Sequence, residues 1–497
     1  MNIRYYLWRL RVTAITLPIL CASLSGITQS EQKMFWALNG NTAASVLTWD
    51  NTTGNSRIDN GNGAWNNVGS NRTWSSNGGI ANIAWRPGAT AIFGSNNPSG
   101  GAAGTVTLAA SQTVNSLTFN PATSGGNFIL AENAGNSYTL YNTTGKITAN
   151  ASATINCSLG GSAGLTLAGT GTITVDSITT YTGTTTINAG TLLLSNGILN
   201  STAPTLSTPV VIASGGTLST NVTSANINLA GNISGAGTLN MSNNTGQLQT
   251  LRLYGSNSGF TGNFSQPANA RGMMWSDNQG TGNAANTGSA AASWTLSGAF
   301  GFIETAGTAT PTVQLGSLSG TNTATTLGGF GGTGTKTFQI GALNTSTTFA
   351  GAIQDNPQTT GSPVIALTKV GTGTLTMSGT NTYTGATTVN AGTLAFPNAI
   401  PSSNTWNIAV NATTSTPTSA NSGLLTLPLS LSFSGKTVNI VLTGTSTGFT
   451  WTAATWSGVG LFSPTLKVNG TTVTSGIPFN GTTVNYSLLS ATITVTR

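Results

Sequence analysis

This chain contains no histidine, so it cannot assemble a Ser-His-Asp or Cys-His nucleophile or the usual zinc site. Its acids are Asp50, Asp59, Asp176, Asp277, Asp355, Glu31, Glu132 and Glu304. Cleaving a glycosidic bond normally takes two carboxylates facing each other across it. Asp277 and Glu304 have the spacing for that if the chain returns on itself about every 25 residues, and Arg271 is close by in sequence. Isolated, solvated loop charges are the simpler reading of the same residues. Calcium-binding Gly-rich repeats need an aspartate in every copy, and the copies in this chain lack it. The many Gly-X-Gly strings are followed by no helical pattern, so they read as turns and not as phosphate loops. Cys157 reads as a small buried residue, not a reactive thiol. Catalytic, cofactor-binding and metal-ligating residues are therefore none, no cofactor is expected, and the chain is read as a non-enzyme. A last chemical feature is the group Trp36, Trp49, Trp65, Trp74 and Trp85, set among Asn, Gly and Ser. Exposed on a sheet, such indoles would stack on sugar rings; folded over the first turn of a stack, they would instead cover its open core.

The elements that must position these residues are written in a repeat. GTGTITVDSITTYTGTTTINAGTLLL (Gly169 to Leu194) and GTGTLTMSGTNTYTGATTVNAGTLAF (Gly371 to Phe396) align without a gap and agree at 16 of 26 positions. Where they differ, Ile173 answers Leu375, Val175 answers Met377 and Ile187 answers Val389, so the apolar sites exchange one hydrophobe for another. Leu375 and Met377 alternate with Thr374, Thr376 and Ser378, the period of a strand with one buried face. Gly379, Gly385 and Ala391-Gly392 mark corners. One unit thus reads as three short strands joined by tight turns. A layer that thin cannot bury its inner face alone, whereas units stacked at ~4.8 Å cover each other along an axis. The expected fold is all-β, a right-handed parallel β-helix with essentially no helical segment beyond the leader. Degenerate copies at Gly235 to Ser242, Leu253 to Phe264 and from Ile212 extend the pattern. At about 25 residues per rung the chain holds roughly 15 rungs, a rod on the order of 70 Å.

The words of the repeat resemble the autotransporter-associated β-strand repeat, also called the passenger-associated transport repeat. Gly371 to Phe396 fits the pattern almost throughout; Gly169 to Leu194 departs at Asp176-Ser177-Ile178. The resemblance implies an exported, solenoid-like bacterial surface protein and supplies no catalytic residues. Autotransporters end in a membrane-embedded barrel, and Ser402 to Arg497 reads as too short for one.

Composition agrees with a long homotypic stack. Charged residues are 5% of the chain, against about 25% in ordinary soluble domains, and the polarity comes from Thr, Ser and Asn, which can form ladders where identical charges would repel. Arg4, Arg9 and Arg11 ahead of the apolar run Val12 to Cys21 read as a secretory signal over 1–28. Removing it leaves Cys157 alone, so no internal disulfide is expected. The remaining basic residues are scattered, which argues against nucleic acid, and no mature segment reads as a transmembrane helix. The domain reading is a Trp-rich cap and first rungs over 29–110, helical rungs over 111–400, and a C-terminal antiparallel β cap or small sandwich over 401–497. The last rests on the longer alternating runs Leu424 to Phe433, Thr437 to Gly444 and Leu488 to Thr496. The function expected is a secreted or outer-surface rod serving adhesion, display or assembly. Its partners would be extracellular polysaccharide or other surface proteins, with self-association favoured by the low charge. Two alternatives are a glycan-binding module using the N-terminal tryptophans and a β-helical polysaccharide lyase or hydrolase.

Overall fold

The computed structural model describes residues 46–497 except 53–54, 67–71, 96–99, 134–136, 177–179, 196–204, 222–225, 242–249, 277–287, 306, 358–360, 414–415, 428–434, 457–463 and 488–491. The leader, Glu31, Trp36 and Asp277 lie outside the described residues. Every regular element among those described is a strand.

The strands are short, alternating and parallel. Thr172–Val175 pairs with the far half of Thr185–Ser195, setting Ile173 beside Leu192 and Val175 beside Leu194. The same inward column continues from Leu192 to Leu218, Leu239, Phe264, Trp294 and Leu318, all of them buried. A second inward column runs Leu47, Ala91, Leu117, Ile147, Leu167, Ile187 and Ile212. Each large aliphatic side chain buried this way contributes roughly 1.5–3 kcal/mol, and only its neighbours along the axis can cover it. Successive parallel pairings carry the stack from Val46–Trp49 to Thr465–Val468, the arrangement of a β-helix. Among the described residues the strands fall into sheets of 28, 7 and 7.

The two full repeats show why their residues are shared. In the second copy, Thr374–Met377, Thr387–Val389 and Gly392–Ala395 are separate strands, and the third returns onto the first with Leu375 beside Leu394. Gly190 and Gly392 take the corner before that return at φ of 71° and 64°, in the left-handed region that a side chain disfavours. A Cβ on Gly392 would also lie 2.5 Å from the carbonyl oxygens of Gly371 and Gly373. Behind the corner, the buried Tyr181 and Tyr383 hydroxyls each meet a threonine hydroxyl four residues on, Thr185 and Thr387, at 2.8 Å. That pairing explains why Tyr and Thr recur as a unit.

Both ends depart from parallel stacking. Val46–Trp49 pairs in parallel with Thr90–Phe93 but antiparallel with Trp74–Ser75, which pairs antiparallel with Asn82–Ile83. At the other end, Thr450–Trp456 pairs antiparallel with Thr492–Thr496, and that strand with Thr483–Ser487. The expectation of antiparallel pairing is corrected at the described part of Leu424 to Phe433, where Gly423–Leu427 pairs in parallel with Gly392–Ala395 and with Thr450–Trp456, and at Thr437 to Gly444. Thr437–Thr443 pairs in parallel with both Thr405–Asn411 and Thr465–Val468, because Val438 and Ile440 continue the inward columns of Trp406 and Ile408.

Candidate functional site

An outward ladder accompanies the inward columns. Register places Thr105, Ile129, Thr154, Thr174, Leu193, Ser219, Asn240, Ser265, Thr295 and Ser319 in one line across successive rungs. Beside it runs Thr172, Thr191, Thr217, Thr238, Asn263, Ser293 and Ser317. Neither line holds a charged side chain, and strand spacing sets its rungs ~4.8 Å apart. Members bond to each other along the axis: the Asn240 amide donates to Ser219 Oγ at 3.3 Å, and the Thr295 and Ser319 hydroxyls lie 3.1 Å apart. Outward amides do the same further on, Gln314 donating to Gln339 at 3.1 Å and Asn439 to Asn407 at 3.1 Å. The face offers side-chain hydrogen bonds at most rungs, interrupted at Ile129 and Leu193, and little electrostatic field.

Among the described residues the acids are tied into the scaffold; Asp59 adjoins Asp50, and no group of three or more that could hold a metal ion is formed. Asp355 Oδ1 accepts from the backbone N–H groups of Ile365 at 2.8 Å and Thr384 at 3.0 Å, and its Oδ2 accepts from the Thr384 hydroxyl at 2.7 Å. Glu132 accepts from Tyr138 N at 3.0 Å. Asp59 pairs with Arg57 at 2.9 Å. Asp50 is wholly buried and takes the N–H groups of Thr52 and Asp59 on Oδ1; burial pushes its carboxyl up, partly opposed by those two bonds. Asp176 is held at a strand end, its N–H donating to Ile155 O at 3.1 Å. Glu304 sits opposite Ser276 in register, accepts from the Ser276 hydroxyl and lies 3.7 Å from the Arg252 guanidinium. Beside it on the outer side of that sheet, Met274, Phe300 and Phe302 form a small cluster of their own, with the two rings stacked 4.4 Å apart.

The tryptophans point inward. Trp49, Trp65 and Trp74 have no exposed surface and Trp85 has 4%. Trp65 and Trp74 lie 4.9 Å apart, Trp74 and Trp85 4.6 Å, and Trp74 packs edge-on against Phe93 at 5.5 Å. The reading of these four as a flat glycan-stacking face is therefore corrected: their faces are spent on one another and on the first rungs. Cys157 is also buried, and burial pushes its thiol up to about 12, leaving no thiolate for chemistry at neutral pH.

Three lysines escaped the sequence reading. Lys336 and Lys369 point into the core and are 0% and 1% exposed. The Lys336 ammonium donates to the carbonyls of Ile303, Phe330 and Gly331 at 3.0, 2.6 and 2.8 Å. That of Lys369 donates to Val370, Gly371 and Ala391 at 2.7, 2.7 and 3.2 Å. Lys436, less deeply placed, reaches the carbonyl of Ser403 at 2.7 Å. Each ammonium gathers carbonyls at a corner where the chain leaves one strand for the next. The signal was present: Lys336 alternates with Phe338 and Ile340, and Lys369 with Ile365 and Leu367, so both occupy the inward phase. The general rule that lysine stays outside hid them.

Comparison with known proteins fits this architecture. The model of the passenger-associated-transport-repeat matches residues 165–194 and 367–396, the two full copies. Over 148 residues the chain is 40% identical to a protein described as the adhesin BmaC autotransporter of Brucella suis biovar 1 (strain 1330); the match takes in 29% of this chain and 4% of that protein. No solved structure matches.

Proposed function

We propose, from the two passenger-associated transport repeats it carries and its likeness over 148 residues to an autotransporter adhesin, that this chain is an exported, non-enzymatic surface protein whose rod displays its outer faces for adhesion or assembly. The observation that carries the reading is the unbroken parallel stack from Val46 to Val468 with an uncharged ladder along its outside. Such a stack is stable without a compact core of its own at any one level, and it lengthens by adding rungs. A leader over 1–28 would deliver it across the membrane. The scattered acids support a binding role over hydrolysis, because a glycosidase needs two carboxylates across one bond and the described acids are bonded to the scaffold instead.

The test is made on cells that produce the protein. Antibody against the purified chain should label intact cells, external protease should remove that label, and a deletion strain should attach less well to surfaces or to other cells. Label found only after lysis would refute the surface reading. Purified chain that releases new reducing or unsaturated ends from polysaccharides would refute the non-enzymatic one.

A further inference from the structure

We propose that a cleft at the N-terminal end of the outward ladder binds a neutral polysaccharide chain. The cleft is shallow, about 440 Å³, and is lined by Asn62, Gly63, Ala64, Thr105, Thr107 and Asn133, within the ~300–1,000 Å³ range of small-ligand sites. Its floor is the parallel pairing of Gly63–Trp65 with Thr105–Leu108. The floor is stiffened from beneath: a Cβ on Gly63 would lie 2.7 Å from the Trp49 ring, so the buried tryptophans shape the cleft without entering it. A rigid bed of this kind lowers the entropy lost when a ligand is ordered on it.

The lining chemistry selects the ligand class. Asn62 is exposed, its Oδ1 accepts from Thr105 N at 2.7 Å, which holds the side chain, and its backbone carbonyl accepts from the Asn51 amide at 3.3 Å. Asn133 is exposed, and Thr105 and Thr107 present hydroxyls at alternate outward positions. Amides and hydroxyls donate and accept at once, as the vicinal hydroxyls of a sugar require. The lining has no lysine or arginine to recognise an anionic polymer or a phosphate backbone. It also has no apolar pocket to anchor the side chains of a peptide. Thr105 is the first member of the outward column that passes Ile129 and then continues through Thr154 and Thr174, so an extended polymer seated in the cleft crosses one apolar rung and meets the next hydroxyls about two rungs on, at strand spacings of ~4.8 Å each. The proposal goes beyond the surface reading and stands on the cleft alone.

Affinity electrophoresis of the purified full chain tests it, with gels containing mixed-linkage β-glucan, xyloglucan or galactomannan on one side and alginate or heparin on the other. At least one neutral polymer should retard the chain, unaffected by added salt. Ala64→Arg and Thr107→Arg fill the cleft from outward positions and should weaken that retardation about tenfold or more. Thr186→Arg, on another outward column, should leave it unchanged. Melting curves establish that the variants fold; if the two cleft variants do not, Asn133→Ala decides, a loss of about threefold supporting the site and no loss overturning it. Retardation by none of the neutral polymers, by the anionic polymers alone, or equally by folded Ala64→Arg and Thr107→Arg would overturn the proposal.

Discussion

Lys369 supplies a pH dependence whose sign and size follow from its surroundings. Its ammonium is 1% exposed, and burial pulls its pKa from 10.5 down to about 8. The folded chain therefore releases this proton at lower pH than the unfolded chain does. Between those two values the unfolded state binds more protons, so stability rises with pH through the window. Below pH 8 both states hold the proton and the full cost of the buried charge is present. From pH 8 to pH 10 the gain comes to about 2 kcal/mol at 1.36 kcal/mol per pKa unit. The burial of Tyr181 and Tyr383 raises their phenol pKa values, which erodes stability once the unfolded chain ionises near pH 10, so measurements belong below that. Lys436 is also shifted downward by burial and adds a slope of the same sign. Comparing urea midpoints of the natural chain with those of Lys369→Met at pH 8, 9 and 9.5 isolates the contribution of Lys369. The natural chain should gain on the variant as pH rises. Parallel profiles would refute the reasoning, and would mean that the three carbonyls at 2.7, 2.7 and 3.2 Å replace the lost hydration of the ammonium in full.

Further outcomes are expected from the same structure. Gly392→Val should lower the melting temperature by a destabilisation of roughly 2 kcal/mol or more, since it meets both a positive φ of 64° and carbonyl oxygens at 2.5 Å; the same change at the exposed Gly448, where a Cβ would meet nothing within 4 Å, should cost less. Trp74→Ala should cost about 3–5 kcal/mol locally and expose the N-terminal rungs to limited proteolysis, while cleavage around Gly371 to Phe396 stays slow, because solenoid rungs are stabilised by their neighbours and not by distant ones. Cys157 should resist iodoacetamide at pH 8 in the native chain and react once denaturant is added, since burial raises its thiol to about 12. Tyr383→Phe should cost about 1 kcal/mol through loss of the 2.8 Å bond to Thr387, and Thr387→Val added to it should cost little more.

Much of the architecture was legible because it is local and periodic. Alternation at Ile173 and Val175 fixes which side chains face in, the glycines at 190 and 392 fix where the chain turns, and near-identity of the two copies forces like residues onto like positions. The Thr and Asn of the outer ladder follow from the opposite phase of the same alternation. What the sequence could not supply was the identity of each strand's neighbour. Thr437–Thr443 alternates as well for antiparallel pairing as for parallel, and the choice was made by inward columns contributed from rungs about thirty residues away.

The fates of individual side chains divide the same way. By itself the sequence determined a chain that piles up rung on rung with hydrophobes inside, because a period of two and a recurring corner are properties of a few adjacent residues. Only the tertiary structure decided that four tryptophans turn their faces to one another. It alone drew Lys336 and Lys369 inside to gather carbonyls at the corners, and it tied the described acids into scaffold contacts, Asp355 to Ile365 and Thr384 and Asp50 to Thr52 and Asp59. Burial and hydrogen-bond partnership depend on which segments become neighbours in space, and that is a property of the assembled stack.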